Sequence, residues 1–318
     1  MIDPQARERF EDQAVRGDDA AEAQRLAMSL RAGEGPAGLQ LAALCLHVAA
    51  IAPERLAAVY DGAAEGWLGW QPRGPIVEAP AGTETPAPEF WTEFWALALE
   101  PATGQDALEI TARTAALSGR LAPAFKLRVA AMARAYPGVA QAAAAGYPSK
   151  FSLERLALCP TESLGGAFHS LIVDNGFDLE VLDREALGLA DLPPPLDYLN
   201  ARILQCHDLW HLLAGYQTTA LHEVAISAFQ MAQFGHHYSS MFLAMVLTKT
   251  AVTQAEALPL FLDTILTAWI HGRETPPLIG LDWESIWDRP LDVLRTELGV
   301  TAYSSPYPAD LFEQLRAA

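Results

Sequence analysis

Apolar positions along this chain recur with the period of an α-helix. Hydrophobic residues are spaced three and four apart, and no stretch alternates apolar and polar residues for long enough to indicate a strand. We therefore predict an all-α fold, a multi-helix bundle. In the first half we predict a charged, solvated helix over residues 3–33, a buried helix over 37–60 interrupted at Pro53, an aromatic helix over FWTEFWALALE, and Ala-rich helix over 106–146 with a break at Pro137-Gly138.

The same periodicity continues in the second half. A capped helix is predicted from Thr161 or Ser163 to the Asn175-Gly176 turn, and a further helix is expected to begin near Asp197. Two strongly apolar helices follow, at about residues 221–250 and 254–271. Their segments AISAFQMAQF and MFLAMVLT are apolar on several sides. Such helices usually fill a core, but they could also line a tunnel for a lipid chain.

One segment interrupts the helical pattern. Residues 71–88 contain five prolines and are predicted to be a linker or long loop. We place the domain boundary after it, with an N-terminal helical extension over residues 1–105 and the main helical domain over 106–318.

Composition excludes some classes of function. The 318 residues have a formal net charge of −18, which argues against nucleic-acid binding and against binding to anionic lipid by charge alone. The three cysteines, Cys45, Cys159 and Cys206, have no metal or redox spacing and suit a reducing compartment. The polar N-terminus does not resemble a signal peptide, and the longest apolar run, 41–52, is too short to span a bilayer. We therefore expect a cytoplasmic location with peripheral contact at the inner face of the membrane.

Candidate chemistry is concentrated in HDLWHLLAGYQTTALHE, residues 207–223. On a helix, His207, Asp208 and His211 point into an arc of about 100°. Two imidazoles and a carboxylate directed at one volume form a ligand set for a divalent metal, with zinc as the first candidate. The alternative is two half-buried histidines beside a surface aspartate.

Glu223 follows His211 after eleven intervening residues and would lie about 18 Å away on a straight helix. A helix break therefore has to precede it. Gly215 is a suitable residue just beyond a helix end, and Thr218 or Thr219 can cap the next helix. In an antiparallel pair, Glu223 would then face His211, so we predict a metal site on a helical hairpin.

At this motif and around it, the chain resembles the COQ-four family of coenzyme Q (ubiquinone) biosynthesis proteins. The resemblance covers about residues 130–305. Matching positions are Arg202, Leu213, Gly215, Thr218 and Leu221, the SLGGAF helix with Asp174-Asn175-Gly176, and Glu284, Trp287, Leu294, Arg295, Glu297, Leu298 and Gly299 of WESIWDRPLDVLRTELGV. The chain departs from the family at Gln217, where proline is usual, and at His222, where glycine is usual. His222 could add a ligand, but we favour a structural role because adjacent helical residues point about 100° apart.

The resemblance implies an α-helical protein whose zinc is associated with His207, Asp208, His211 and Glu223. It also implies removal of the carboxyl group at ring carbon one of a polyprenylated hydroxybenzoate, coupled to hydroxylation there. The chain would then be a decarboxylase, with Asp208 and Arg202 as catalytic residues and Arg202 clamping a carboxylate. The alternative for Arg202 is an ion pair with Asp197 or a loop acid.

A second function stays open, because the family is also described as a non-catalytic, lipid-binding organiser of the coenzyme Q enzymes. Expected partners are the polyprenylated quinone precursor and other ubiquinone biosynthesis enzymes, with a homodimer as a candidate assembly. A metal-dependent hydrolase is less favoured, since HDxxH lacks the glutamate base that HExxH places between its histidines.

Overall fold

A computed structural model describes residues 2–317 apart from 18, 74–81, 83, 101–106 and 181. Half of the predicted linker over 71–88, residues 74–81 and 83, lies outside these residues. The described parts form sixteen α-helices and no named strand, with one isolated antiparallel bridge between Ser163 and Pro290. The predicted all-α class is confirmed. The helices are α1 (Pro4–Arg16), α2 (Ala20–Arg31), α3 (Pro36–Ala50), α4 (Leu56–Leu68), α5 (Pro88–Leu99), α6 (Ala107–Gly119), α7 (Pro123–Ala135), α8 (Val139–Ala143), α9 (Leu153–Leu156), α10 (Leu164–Asn175), α11 (Leu196–Ala214), α12 (Ala220–Phe234), α13 (His237–Thr253), α14 (Leu258–Glu274), α15 (Leu291–Leu298) and α16 (Leu311–Ala317).

The chain folds into two compact units that are each assembled from separated segments. The first unit comprises Met1–Met132 and Ser227–Arg273, and the second comprises Ala133–Ile226 and Glu274–Ala318. The predicted division after residue 105 stays a prediction.

The first unit is organised around α3, which is buried from Leu41 to Ala50. Helices α1, α2, α4 and α13 pack against it, and α13 also contacts α5 and α6. The aromatic stripe of α5 is core, as its spacing predicts: Phe94 stacks on Phe10 with ring centroids 5.8 Å apart, and Trp95 meets Phe10 edge-on at 5.1 Å.

Three segments were predicted with too few helix breaks. The Ala-rich stretch over 106–146 breaks between α6 and α7 as well as at the predicted Pro137-Gly138. The single solvated helix over residues 3–33 is wrong, because the chain forms α1 and α2 and buries Phe10 and Leu26 completely or nearly so. The apolar stretch after Glu223 forms three helices, α12 to α14, because Gly235 takes a left-handed conformation at φ 65° and ends α12. In α12, residues 227–234 are all buried, which agrees with a core role; the lipid tunnel stays a prediction.

In the second unit, the two segments that flank the metal-ligand motif in the sequence, SLGGAF and WESIWDRPLDV, pack against one another. Ser163 caps α10 through the Gly166 N–H, as predicted, and the Gly165 N–H donates to the Trp287 carbonyl at 2.9 Å. The Trp287 ring lies 6.1 Å from Phe168 and 5.0 Å from Phe151. SLGGAF and the WESIWDRPLDV segment therefore form one framework, and α11 packs against α10 and α15 of that framework.

Within the described ranges, no single helix is both long enough and apolar enough to cross a membrane. Pro36–Ala50 and Pro53–Leu68, which meet at a bend of 120°, reach that length and composition only as a pair.

Candidate metal centre

The centre forms where α11 ends and α12 begins. His207 and His211 lie one turn apart in α11, with their Nε2 atoms 3.1 Å apart and ring centroids 4.7 Å apart. Glu223, in the first turn of α12, brings one carboxylate oxygen to 3.2 Å from His207 Nε2 and the other to 3.3 Å from His211 Nε2. The structure thus brings these three predicted ligands together across the helix break.

The first half of the helix break, the end of α11 at Gly215, has the structure that the sequence predicts. Gly215 ends α11 with φ 79° and ψ 27°, and the N–H groups of Gly215 and Tyr216 both donate to the His211 carbonyl. The second half differs from the prediction. The Thr219 hydroxyl donates to the Ala309 carbonyl, and the first N–H of α12, on Ala220, donates to the Glu313 carboxylate at 3.1 Å.

The spacing of the donor atoms fits a tetrahedral ion. Ligand atoms about 2.0–2.1 Å from zinc in a tetrahedral site lie roughly 3.3 Å from one another. The two Nε2 atoms are 3.1 Å apart, and the two oxygens of Glu223 lie 3.2 Å from His207 Nε2 and 3.3 Å from His211 Nε2 respectively. Asp208 lies beside the two histidines, because a ligand atom from each of His207, Asp208 and His211 falls within 4.8 Å of the others. The residues present therefore fit a divalent metal such as zinc.

The tautomer of His211 follows from its second contact. Its Nδ1 lies 3.3 Å from the Tyr216 carbonyl oxygen, which can only accept, so the ring proton belongs on Nδ1. Nε2 then presents a lone pair to His207 and Glu223. Because several acceptors converge there, a bridging proton or a metal ion is required to hold them together. A histidine held in this way through its other nitrogen is the usual arrangement of a metal ligand.

Solvent access and charge differ across the centre. The His211 side chain is 1% exposed, whereas His207 is 30% and Glu223 45% exposed, so the centre opens on the side of the carboxylate. Burial acts to raise the pKa of Glu223, but hydrogen bonding and charge from the two imidazoles outweigh it and hold that pKa well below its usual range.

The two departures from the family pattern are in contact with each other. The Gln217 N–H donates to His222 Nδ1 at 2.8 Å. Proline at residue 217 would have no N–H, and glycine at 222 would have no acceptor. Because Nδ1 accepts, the neutral His222 ring carries its proton on Nε2, and that nitrogen has no lone pair for a metal. This supports the structural role expected for His222.

Arg202 has other partners than the three convergent ligands. Its guanidinium donates to Gln205 Oε1 at 2.7 Å and to the Leu281 carbonyl at 3.0 Å, pairs with Glu284 at 3.5 Å, and lies over the Phe151 ring. The pair with Glu284 is of the kind expected under the alternative for Arg202, an ion pair with a loop acid. Its assignment as a clamp for a substrate carboxylate stays a prediction.

Sequence reasoning did not find the residues that hold the end of α11. Arg295 donates from Nε to the Leu213 carbonyl at 2.9 Å and from Nη2 to the Leu212 carbonyl at 2.5 Å. These are orphan carbonyls at a helix C-terminus, where a cation is favourable. The sequence singled out Arg295 only as a position that matches the family in WESIWDRPLDVLRTELGV, and it assigned no role to this residue.

The fold and the centre define an all-α protein with a histidine–carboxylate site suited to a divalent metal. Residues 147–304 match the family model described as "Coenzyme Q (ubiquinone) biosynthesis protein Coq4". This segment of the chain is a Coq4-family domain, which confirms the resemblance seen in the sequence.

Individual relatives agree with this assignment. The chain is 33% identical over 154 residues to the mitochondrial ubiquinone biosynthesis protein COQ4 homolog of Rattus norvegicus, covering 48% of this chain and 56% of that protein. It is 29% identical over 161 residues to the homolog of Drosophila ananassae, covering 49% and 56%, and 28% identical over 150 residues to the COQ4 protein of Eremothecium gossypii, covering 46% and 44%. The chain thus spans about half the length of these relatives.

One solved structure is similar in fold. It is a crystal structure of a protein from Nostoc punctiforme PCC 73102 provisionally assigned to ubiquinone biosynthesis. The TM-score is 0.50 at 21% identity, and the match covers 67% of this chain and 97% of the other. At this identity the likeness concerns the fold alone.

Proposed function

We propose that this protein acts in ubiquinone biosynthesis as a metal-dependent decarboxylase, removing the carboxyl group from ring carbon one of a polyprenylated hydroxybenzoate. The observation that supports this is the convergence of His207, His211 and Glu223 at separations of 3.1 to 3.3 Å, with Asp208 beside them. Membership of the Coq4 family supports the pathway, and the names of the relatives support ubiquinone as its product.

The four side chains have separate tasks in this proposal. His207, His211 and Glu223 hold the ion, and the Tyr216 carbonyl fixes the His211 ring so that Nε2 faces it. A divalent ion held there would stabilise the negative charge that develops on a phenolic or carboxylate oxygen of the substrate. Asp208 sets the net charge of the centre, because an anionic ligand changes how acidic a bound oxygen becomes.

The reaction breaks the bond between ring carbon one and the carboxyl carbon. Carbon dioxide leaves, and the electron pair stays on the ring. In the simple form a proton takes the vacated position. In the form coupled to hydroxylation, one oxygen atom of dioxygen takes it, and the other leaves as water with two electrons and two protons from a separate reductant. Because zinc has no redox chemistry, the electron-rich ring itself would react with dioxygen.

The organiser function is the second candidate, and Asp208 is the observation that favours it. Four protein ligands are typical of a closed structural zinc site, whereas three ligands and a water are typical of a catalytic one. Asp208 lies beside the two histidines and would supply the fourth ligand. The ion would then serve only to hold α11 against α12.

The ligand, the partners, the assembly and the location of the protein form part of the same proposal. We propose the polyprenylated precursor as ligand, other ubiquinone biosynthesis enzymes as partners, a homodimer as assembly, and peripheral contact with the membrane at its inner face. The relatives from Rattus, Drosophila and Eremothecium are named mitochondrial, which supports a mitochondrial location for this chain rather than the cytoplasmic one expected from the sequence.

Asp208→Asn separates the two functions. The amide keeps the shape and one oxygen donor but removes the charge. Expressed in cells that lack the native gene, the variant should be made and folded but should fail to restore ubiquinone, and the carboxylated polyprenyl precursor should accumulate. Asp197→Asn, an acid in the first turn of the same helix and outside the ligand group, is the matched control and should restore ubiquinone. Normal ubiquinone with Asp208→Asn would favour the organiser; loss of ubiquinone without that precursor would indicate a different step.

A further inference from the structure

The C-terminal segment beyond the family match holds the start of the helix that carries Glu223. The match ends at residue 304, and α16 follows it. In α16, the Glu313 carboxylate accepts the N–H of Ala220, the first residue of α12, at 3.1 Å. The Thr219 hydroxyl, one residue earlier, donates to the Ala309 carbonyl at 2.7 Å. Two hydrogen bonds from the C-terminal segment therefore fix the start of α12.

These two bonds connect to the metal centre through one helical turn. The Glu223 N–H donates to the Thr219 carbonyl at 2.9 Å, so Thr219 is bound to Ala309 by its side chain and to Glu223 by its backbone. Ala220 and Glu223 are three residues apart and lie on one face of α12, about one turn from each other. A displacement of the helix start therefore displaces the Glu223 carboxylate.

Glu223 depends on such support more than the two histidines do. His207 and His211 lie one turn apart on α11, so that helix alone sets their spacing, whereas Glu223 belongs to another helix and its side chain is 45% exposed. The first turn of a helix is where fraying is common. A shift of about 1 Å would take a ligand atom outside the range of a metal bond.

We propose that Glu313 is a positioning residue of the metal centre, which holds the Glu223 carboxylate against the two histidines by binding the first N–H of α12. The inference rests on the proposed metal-dependent function. The negative charge of Glu313 also lies at the positive end of the α12 dipole, which favours the same contact. The competing explanation is that Leu221, which is fully buried, fixes the turn, and that Glu313 only stabilises the fold.

Three variants separate the acceptor from the charge and from the helix. Glu313→Ala removes both the acceptor and the charge, while alanine is favourable within a helix such as α16. Glu313→Gln keeps an oxygen acceptor and loses only the charge. Gln314→Ala is the matched control, because it removes another exposed side-chain hydrogen bond of the same segment, from Gln314 to Asp310 at 2.8 Å, that does not involve α12.

The test measures the zinc affinity of the full chain by competition with a chelator, with the free energy of unfolding recorded for each variant. We expect Glu313→Ala to bind zinc about tenfold more weakly, as for loss of a residue that orients a ligand. Glu313→Gln should stay within about threefold of wild type, and Gln314→Ala should leave the affinity unchanged. The visible spectrum of the cobalt-loaded protein should shift in Glu313→Ala in the same direction as in Glu223→Ala.

A double variant shows whether Glu313 acts through Glu223. Once Glu223→Ala has removed the ligand, adding Glu313→Ala should change zinc affinity by less than about twofold. Unchanged zinc affinity in Glu313→Ala, or an equal loss of affinity with and without Glu223, would overturn the inference alone. A wild-type chain that takes up no zinc would overturn the proposed function, and the positioning role of Glu313 with it.

Discussion

The requirement for glycine at residue 215, which ends α11, can be tested by adding one methyl group there. Gly215 sits at φ 79°, and a Cβ built there would lie 2.8 Å from the Ala302 Cβ and 3.2 Å from its Cα. Non-bonded carbon atoms prefer about 3.5–4.0 Å, so the 302–303 segment would have to move. That segment donates the Tyr303 N–H to the Ala214 carbonyl at 2.8 Å, so the shift strains a helix-end hydrogen bond as well.

The chain supplies a matched control in Gly176, which ends α10 at φ 66° with nothing within 4 Å of a built Cβ. Gly176→Ala meets only the left-handed backbone penalty, partly offset by reduced freedom of the unfolded chain, and should lose about 1 kcal/mol. Gly215→Ala adds overpacking and should lose roughly 2–4 kcal/mol of unfolding free energy.

The assay is urea unfolding followed by circular dichroism, with zinc affinity measured on the same samples. Gly215→Ala should also weaken zinc binding, because the displaced turn carries the Tyr216 carbonyl that orients His211. Gly176→Ala should leave zinc affinity unchanged. Equal losses of stability in the two variants, or unaltered zinc affinity in Gly215→Ala, would refute this account of the turn.

Two further predictions concern the same turn and its carboxylate. Because the pKa of Glu223 is lowered on folding, its contribution to stability is full above the ordinary carboxyl pKa range and is lost as the pH falls through and below that range. Chelator-treated wild type should therefore lose unfolding free energy in acid, and Glu223→Gln should show a smaller loss. Gln217→Pro and His222→Gly should each destabilise the chain, since each leaves one partner of their hydrogen bond unpaired, but the double variant should lose less than the two losses combined, by about 1 kcal/mol. Full additivity would count against the contact.

The local signals in the sequence were sufficient for the helix break at the centre. Glycine at 215 has a defined conformational use, and the spacing of His207, His211 and Glu223 is interpretable only if the chain turns there. Ser163 as a cap and the aromatic face of α5 were equally local, since each follows from residues within one turn of the other.

The remaining features depend on residues distant in sequence. The first N–H of α12 is bound by Glu313, 93 residues away, so the nearby threonines suggested a cap that the structure does not use in that bond. Arg295 reaches the carbonyls of α11 across more than eighty residues. No local sequence pattern predicts such contacts, because the two partners lie far apart along the chain.

The contact between Gln217 and His222 lies between these cases. The two residues are only five apart, yet each looked like an isolated departure from the family until the 2.8 Å bond joined them. Gln217 supplies an N–H that proline lacks, and His222 supplies an acceptor that glycine lacks. That these two changes form one hydrogen bond can be seen only once the geometry of the turn is known.

Metal content of the purified protein tests the central claim most directly. Wild type and His211→Ala should be compared by elemental analysis before and after incubation with zinc, with circular dichroism as the check on folding. The account predicts about one equivalent of divalent metal in wild type and loss of most of it in His211→Ala while the helical signal persists. A wild-type protein that carries no stoichiometric metal and takes up no added zinc would contradict it.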